Sequence, residues 1–177
     1  MIAYRVCEIL PYFRTSTPHM PVAPSLPTDR AAILTIARSV GVFDGEEVAT
    51  VDELFEGYLR DPEQSGYNFL SYRDADADQV LGFACWGPTS LSKGAVDLYW
   101  ICTAHEAQGH GVAAELFRAV EEATRAIGRW LIVIWTSSRS EYQPARSFYQ
   151  RMGCQLIAQL TDFYDRGEDL CVFTHRL

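Results

Sequence analysis

The stretch richest in chemistry is "AHEAQGHGVAAELF", Ala104 to Phe117. His105, Glu106 and His110 are the residue types of a zinc-protease helix, where two imidazoles four residues apart share a metal and a carboxylate between them activates water. Here the imidazoles are five apart. On a helix that spacing rotates them about 140° from one another instead of about 40°, so they cannot face one ion. Only His19 and His175 remain as further imidazoles, and the expectation is no metal.

The same stretch carries a second pattern in Gln108, Gly109, His110, Gly111, Val112, Ala113 and Ala114. Small residues between a strand and a long helix let an anion approach the free amides of the helix's first turn, where the helix dipole also favours negative charge. No GK[ST] follows, so this is not a Walker loop. Gly109 and Gly111 are followed by Ala114 and no acidic residue stands about twenty further on, so it is not the dinucleotide fingerprint. A phosphate-wrapping turn and a purely structural one remain.

Those residues need elements to hold them. Residues 11–28 contain five of the eight prolines (Pro11, Pro18, Pro21, Pro24 and Pro27), which predicts an irregular segment over 1–28 with room for one short strand. "TDRAAILTIARSVG" spaces Ile33, Ile36, Ala37 and Val40 as a helix, capped by Thr28 or Asp29 and stopped at Gly41. A second helix is expected to open on a capping box of Thr50 and Glu53 and to stop at Asp61–Pro62. "YNFLSYR", "QVLGFACWG" and "AVDLYWICT" read as three strands. The "DADAD" of 74–78 reads as a solvated turn, since a calcium loop would need Gly and Glu where Gln79 and Cys85 stand.

After Gly111, Val112, Leu116, Val120, Ala123 and Ile127 line one face of a helix that Gly128 ends. "WLIVIWT" is a buried strand. A short helix follows, with Pro144 in its first turn, Ala145, Phe148 and Met152 inward, and Gly153 as its stop. Strands near 154–161 and 169–176 complete a single α+β, or mixed α/β, domain over 1–177.

Composition narrows the function classes. The net charge of −8 argues against a nucleic-acid partner. The five cysteines form no CxxC pair, and Cys85, Cys102 and Cys171 sit in apolar runs as small buried hydrophobes of a reducing compartment. The opening "MIAYRVCEIL" has no signal-peptide pattern and no run is long enough to span a bilayer. The expectation is a cytoplasmic protein without a membrane partner.

With these residues in view, "DLYWICTAHEAQGHGVAAELF" resembles the acetyl-CoA-binding core of the GNAT N-acetyltransferase superfamily, whose signature Q/R-x-x-G-x-G/A falls on Gln108, Gly111 and Ala113. "PARSFYQRMGC" (144–154) resembles that superfamily's closing motif, A-x-x-x-Y-x-x-x-G ahead of a strand. The resemblance implies a mostly antiparallel twisted sheet flanked by about four helices, with acetyl-CoA as co-substrate. It implies that Ile101, Cys102 and Thr103 present main-chain groups to the pantetheine arm, that Gly109 to Ala114 hold the pyrophosphate, and that Tyr149 is the general acid. The place where many members carry a cofactor-touching Asn is Tyr142 here. The strand before that helix reads Trp135, Thr136 and Ser137, with no carboxylate to act as base.

Amide formation also needs a group to take the amine's proton, because a lysine-like amine (pKa about 10.4) is mostly charged at neutral pH. Asp97 is the first candidate, with Glu46, Glu47, Asp162 and water as others. Phe43, Glu47, Tyr99 and Tyr164, with Trp100 and Phe163, are candidates to line the acceptor pocket. The implied function is transfer of an acetyl group to a primary amine of a small molecule or peptide, by direct attack in a ternary complex, from a monomer or homodimer. The alternatives are a non-catalytic acyl-CoA sensor, in which Tyr149 would have no catalytic task, and a zinc hydrolase.

Overall fold

The structure, a computed structural model, describes residues 21–74 and 77–177. Pro11, Pro18, His19 and Cys7 lie outside the described residues. The described residues open with β1 (Val22–Pro24), a 3₁₀ turn (Pro27–Asp29), α1 (Arg30–Ser39), α2 (Gly45–Arg60), the one-turn α3 (Pro62–Ser65) and β2 (Asn68–Arg73). It continues with β3 (Val80–Pro88), β4 (Ala95–Thr103), α4 (Val112–Ala126), β5 (Leu131–Ser137), α5 (Gln143–Arg151), β6 (Gln155–Asp165) and β7 (Glu168–Arg176). One seven-stranded sheet runs in the order β1-β2-β3-β4-β5-β7-β6. Every neighbouring pair is antiparallel except β4 with β5. The mixed α/β class and the mostly antiparallel sheet match the expectation; the described helices number five instead of about four because Pro62–Ser65 forms its own turn.

Helices cover both faces. A Cβ on Gly82 would come within 2.8 Å of Val112 and 3.1 Å of Leu116, so α4 lies directly on the face that Gly82 occupies. The next residue, Phe83, points the other way. It stacks on Phe69, whose ring meets Phe55 of α2 edge-on at 5.0 Å. Phe55, Phe69, Phe83 and Phe117 are all essentially inaccessible, and burying each such ring contributes roughly 1.5–3 kcal/mol.

One expected helix start is corrected, and the other holds with different bonds. The second helix begins at Gly45, where Asp44 accepts from the backbone of Glu46 and Glu47 at 2.8 Å and Glu47 reaches back to the Asp44 amide at 3.0 Å. Thr50 lies within that helix and bonds the Glu46 carbonyl. Asp29 is the N-cap residue of α1, as expected, but its side chain makes no cap hydrogen bond to that helix. Its buried carboxylate instead takes Leu26 N–H, the Ser71 hydroxyl and Arg73, tying the first turn to β2. The last strand pair also differs: β6 runs to Asp165 and not to about 161, because residues 161–164 bulge out of the ladder before pairing resumes.

Candidate active site

Strand β4 pairs with β5 from Ala95↔Leu131 to Leu98↔Ile134. Both strands run on, to Thr103 and Ser137, yet they are not paired there among the described residues. Tyr99 accounts for the parting. Cys85 and Trp86 of β3 lie opposite Trp100 and Leu98, so Tyr99 is an extra residue, a bulge. A bulge bends its strand and sharpens the twist, which carries the end of β4 away from β5. The result is a slot through the sheet, edged by the β4 backbone from Tyr99 to Thr103.

Residues paired across strands share a face, and successive residues alternate. Ile134 and Thr136 therefore lie on the face of Phe173 and Cys171. Helix α5 covers that face, with the Tyr149 ring 5.9 Å from that of Phe173. Val133 and Trp135 lie on the opposite face, as does Asp97, which pairs with Val133. The bulge re-aims β4 so that Asp97 and Trp100, three residues apart, both face the α2 side. A cavity of about 1030 Å³ passes through the slot and is lined from both faces.

At one end of this cavity α4 begins. Gly111 is its N-cap, with φ +88° and no side chain to accept from the first-turn amides. The N–H groups of Val112, Ala113 and Ala114 have no intrahelical acceptor by the geometry of a helix start, and all three residues line the cavity. Gly109 has φ +78°, and a Cβ on Gly109 or Gly111 would meet nothing within 4 Å. These glycines are required by left-handed backbone and not by crowding. Gln108 also lines the cavity, whereas His110 is exposed and off its wall. His105 lies in a 3₁₀ turn (His105–Ala107) and His110 in the loop after it, so the two are not on a helix at all. Among the described residues no three His, Cys, Asp or Glu side chains converge as a metal cluster would require.

Ile101, Cys102 and Thr103 line the slot, as do Asp97, Tyr99, Tyr142, Tyr149, Phe43, Glu47 and Tyr164. Glu46, Asp162 and Phe163 do not line it. Tyr149 is 7% exposed, and its hydroxyl makes no hydrogen bond to the protein among the described residues. Burial, with smaller contributions from Cys102 and Cys154, pushes its pKa far above the ordinary 10. Burial likewise raises the Asp97 carboxyl above its ordinary 3.8, and pushes the Cys102 thiol up to about 12. Tyr142 bonds the Val42 carbonyl at 3.4 Å, and burial and then Glu47 push its phenol up to about 12. That places Tyr142 beside the loop before α2, toward the Asp97 side of the slot.

Thr136 escaped the sequence reading. It is 7% exposed, lines the cavity beside the slot, and its hydroxyl bonds no protein group among the described residues. The alternation in "IVIWTS" signals that Thr136 and Trp135 face opposite sides, but only the parting of β4 from β5 puts Thr136 at a site. The Thr136 oxygen is reached by solvent from the cavity, and a ligand in the slot would take the place of that water as its partner. Thr136→Val, which keeps the shape, should lower kcat/KM about tenfold with the melting temperature held or raised. Thr136→Ser should restore most of the loss. Steady-state kinetics beside thermal melts checks this, and an unchanged kcat/KM refutes it.

Comparisons with known proteins bear on this geometry. A family model described as an acetyltransferase (GNAT) domain matches residues 65–154. A solved structure from Desulfovibrio desulfuricans, of a protein assigned to the GNAT acetyltransferase family, is 32% identical with a TM-score of 0.83, covering 88% of this chain and 97% of that one. The ribosomal-protein-alanine N-acetyltransferase of Brucella melitensis is 18% identical, with a TM-score of 0.69 over 88% of this chain and 99% of that chain. The Salmonella typhimurium protein yncA, solved with its cofactor acetyl-CoA, is 18% identical with a TM-score of 0.69, over 90% and 94% of the two chains. These last two likenesses concern the fold. No protein in a search of curated sequences matches the chain.

Proposed function

This chain belongs to the GNAT family of acetyltransferases, and from that premise we propose that it moves an acetyl group from acetyl-CoA to a primary amine by direct attack in a ternary complex. The observation that carries the proposal is the slot, which connects an uncapped helix start on one face to an acid- and aromatic-lined chamber on the other. The pyrophosphate sits on the Val112–Ala114 amides, and the pantetheine arm runs along the free edge of β4 past Thr103, Cys102 and Ile101. The thioester then reaches the slot beside Tyr149 and Thr136, and the acceptor enters from the side of Asp97, Tyr99 and Trp135.

The amine lone pair attacks the thioester carbonyl carbon. The C–N bond forms, the C–S bond breaks, the sulfur leaves as a thiolate that takes its proton from water, and the nitrogen surrenders one to the base. A backbone N–H on the β4 edge polarises the carbonyl oxygen, a role typically worth about 3–4 kcal/mol per donor. Cys102 is no nucleophile for a covalent alternative, because its buried thiol, pushed up to about 12, stays protonated at neutral pH. Tyr149 acts differently from a free acid. A phenol raised far above 10 holds its proton more tightly than the departing thiolate, whose conjugate thiol has a pKa of about 8.5, can take it, so Tyr149 stabilises the departing sulfur chiefly by donating a hydrogen bond.

Asp97 is the base in this reading. Burial raises its pKa and so its basicity, and it faces the chamber. A carboxyl whose folded pKa is raised favours folding below about pH 3.8 and loses that contribution as pH climbs through the raised value. At neutral pH its charge is therefore a cost to the fold. Asp97→Asn should raise the melting temperature at neutral pH while lowering turnover about a hundredfold. A variant that gains no stability, or keeps full turnover, refutes the assignment.

The acceptor chamber is negative. Glu47, Asp97, Glu141 and Glu168 line the cavity, with Arg151 as the basic residue on its wall among the described residues. Arg139 pairs with Glu141 and Glu168 at 3.6 and 3.8 Å, so Glu47 and Asp97 carry the charge that no described cation offsets, and the chain's net charge is −8. A cationic amine of a small molecule or peptide fits that field. The four cysteines among the described residues, all buried and free, support a reducing, cytoplasmic setting, and no described helix is long and apolar enough to cross a membrane. A panel of amines and amino acids with acetyl-CoA, followed by free-thiol release, tests the proposal. Amide formation with at least one amine is expected; tight acetyl-CoA binding with no transfer across the panel would instead favour a sensor.

A further inference from the structure

Three aromatic rings meet at right angles on the acceptor side. Trp135 of β5 and Phe163 of β6 lie 6.0 Å apart at 84°, and Phe163 and Tyr164 lie 5.1 Å apart at 87°. Their exposures are 55%, 47% and 46%. A bulge puts the last two there. β6 is paired with β7 from Gln155 to Leu160, and pairing resumes only at Asp165↔Glu168, so residues 161–164 leave the ladder.

That bulge is fastened. Asp162 adopts φ +54°, its amide donates to Asp169 at 3.0 Å, and its own carboxylate accepts from the Gly167 amide at 2.6 Å. Gln159 donates to the other Asp169 oxygen at 2.6 Å. Left-handed backbone at a non-glycine residue persists only where its surroundings impose it, and these bonds impose it.

Carboxylates border the rings. Tyr164 lies within the field of Glu168 and Glu47. Glu168 is half-buried with Arg139 at 3.8 Å, and Glu47 is half-buried at the start of α2. Ring faces are the negative pole of an aromatic quadrupole, so rings and carboxylates attract the same ligand chemistry, a cation. Trp135 also stands two residues along β5 from Val133, the partner of Asp97. The separation along the strand is on the order of 7 Å, the reach of a short alkyl chain.

We propose that the Trp135–Phe163–Tyr164 corner, bordered by Glu47 and Glu168, binds a second cationic group on the acceptor, so that the preferred substrate is a linear diamine or longer polyamine. One amine presents itself at the slot beside Asp97 while the other ammonium rests against the rings. The inference rests on the acetyl-transfer reading for its chemistry and on the rings for its specificity.

The test separates the two. CoA-saturated protein is titrated by calorimetry with linear diamines, with linear monoamines of matching length, and with the matching ω-amino acids. The same compounds are then assayed with acetyl-CoA for thiol release. The diamine should bind about tenfold more tightly than the monoamine, with the amino acid weakest. That preference should collapse in Trp135→Ala and in Glu168→Gln. Trp135 is more than half exposed, so its loss spares the core, and thermal melts verify the fold. Equal affinity for diamine and monoamine, no binding of either, or an equal loss of both in the variants overturns the inference. Diamine-selective binding with no amide formed from any amine leaves the inference standing and overturns the acetyl-transfer reading.

Discussion

Ala113→Glu should weaken acetyl-CoA binding at least a hundredfold while leaving the fold as stable as before. Ala113 is the second residue of α4, half-buried, and on the cavity wall. A carboxylate in a helix's first turn complements the helix dipole and stabilises the helix by about 0.3–1 kcal/mol. The same carboxylate would sit where the proposed reading puts the pyrophosphate. Two like charges about 5 Å apart repel by about 3 kcal/mol at an effective dielectric near 20, which is more than a hundredfold in affinity. Ala113→Gln, nearly the same shape without the charge, should lose far less. Gly111→Val would be a poorer probe, because φ +88° strains any side chain and affinity would fall with stability. Calorimetry that finds the Glu variant binding acetyl-CoA normally removes the pyrophosphate from this helix start.

Much of the scaffold is legible in residue order. "AVDLYWICT" is β4 residue for residue, and Gly111 and Gly128 bracket α4 as the helical spacing predicts. The error at α2 has a local cause. Asp44–Glu47 and Thr50–Glu53 both satisfy the capping-box pattern, and a pattern alone cannot choose between them. The choice is made by tertiary burial: Val48 and Val51 pack inward beside Phe55, so the helix must already be running at Gly45.

The site divides along the same line. The loop from Gln108 to Ala114 is contiguous, and its chemistry follows from small residues ahead of a helix. The slot is not contiguous. It arises because Tyr99 is one residue too many opposite β3, and nothing in "DLYWICT" marks which residue a distant strand will leave unpaired. Thr136 inherits its position from that parting. Tyr149 is intermediate: its place four residues after Ala145 and three before Met152 puts it on the inward stripe of α5. The strength of its burial depends on Phe148, Phe173 and Cys154 around it.

Tyr149→Phe should lower turnover by roughly 10²–10⁴-fold while leaving acetyl-CoA affinity and folding nearly unchanged. The substitution removes one hydroxyl and keeps the ring against Phe148 and Phe173. In the free protein that hydroxyl bonds no group among the described residues and is reached by solvent from the cavity, so the Phe variant loses no protein bond and should melt about where the wild type does. In the proposed reaction the bond it makes is to sulfur, and it strengthens as negative charge grows there during C–S cleavage. An interaction made mainly in the transition state lowers kcat and kcat/KM together and spares binding. The direction of the pKa shift adds a second signature. Burial holds the phenol protonated well beyond pH 10, so the wild-type rate should show no basic limb from Tyr149 across the neutral and mildly alkaline range. A free phenol would begin to fail near pH 10. Normal turnover in the Phe variant assigns the hydroxyl a structural role. A basic limb that appears below pH 10 in the wild type and vanishes in Tyr149→Phe shows that ligand binding undoes the burial on which the hydrogen-bond reading depends.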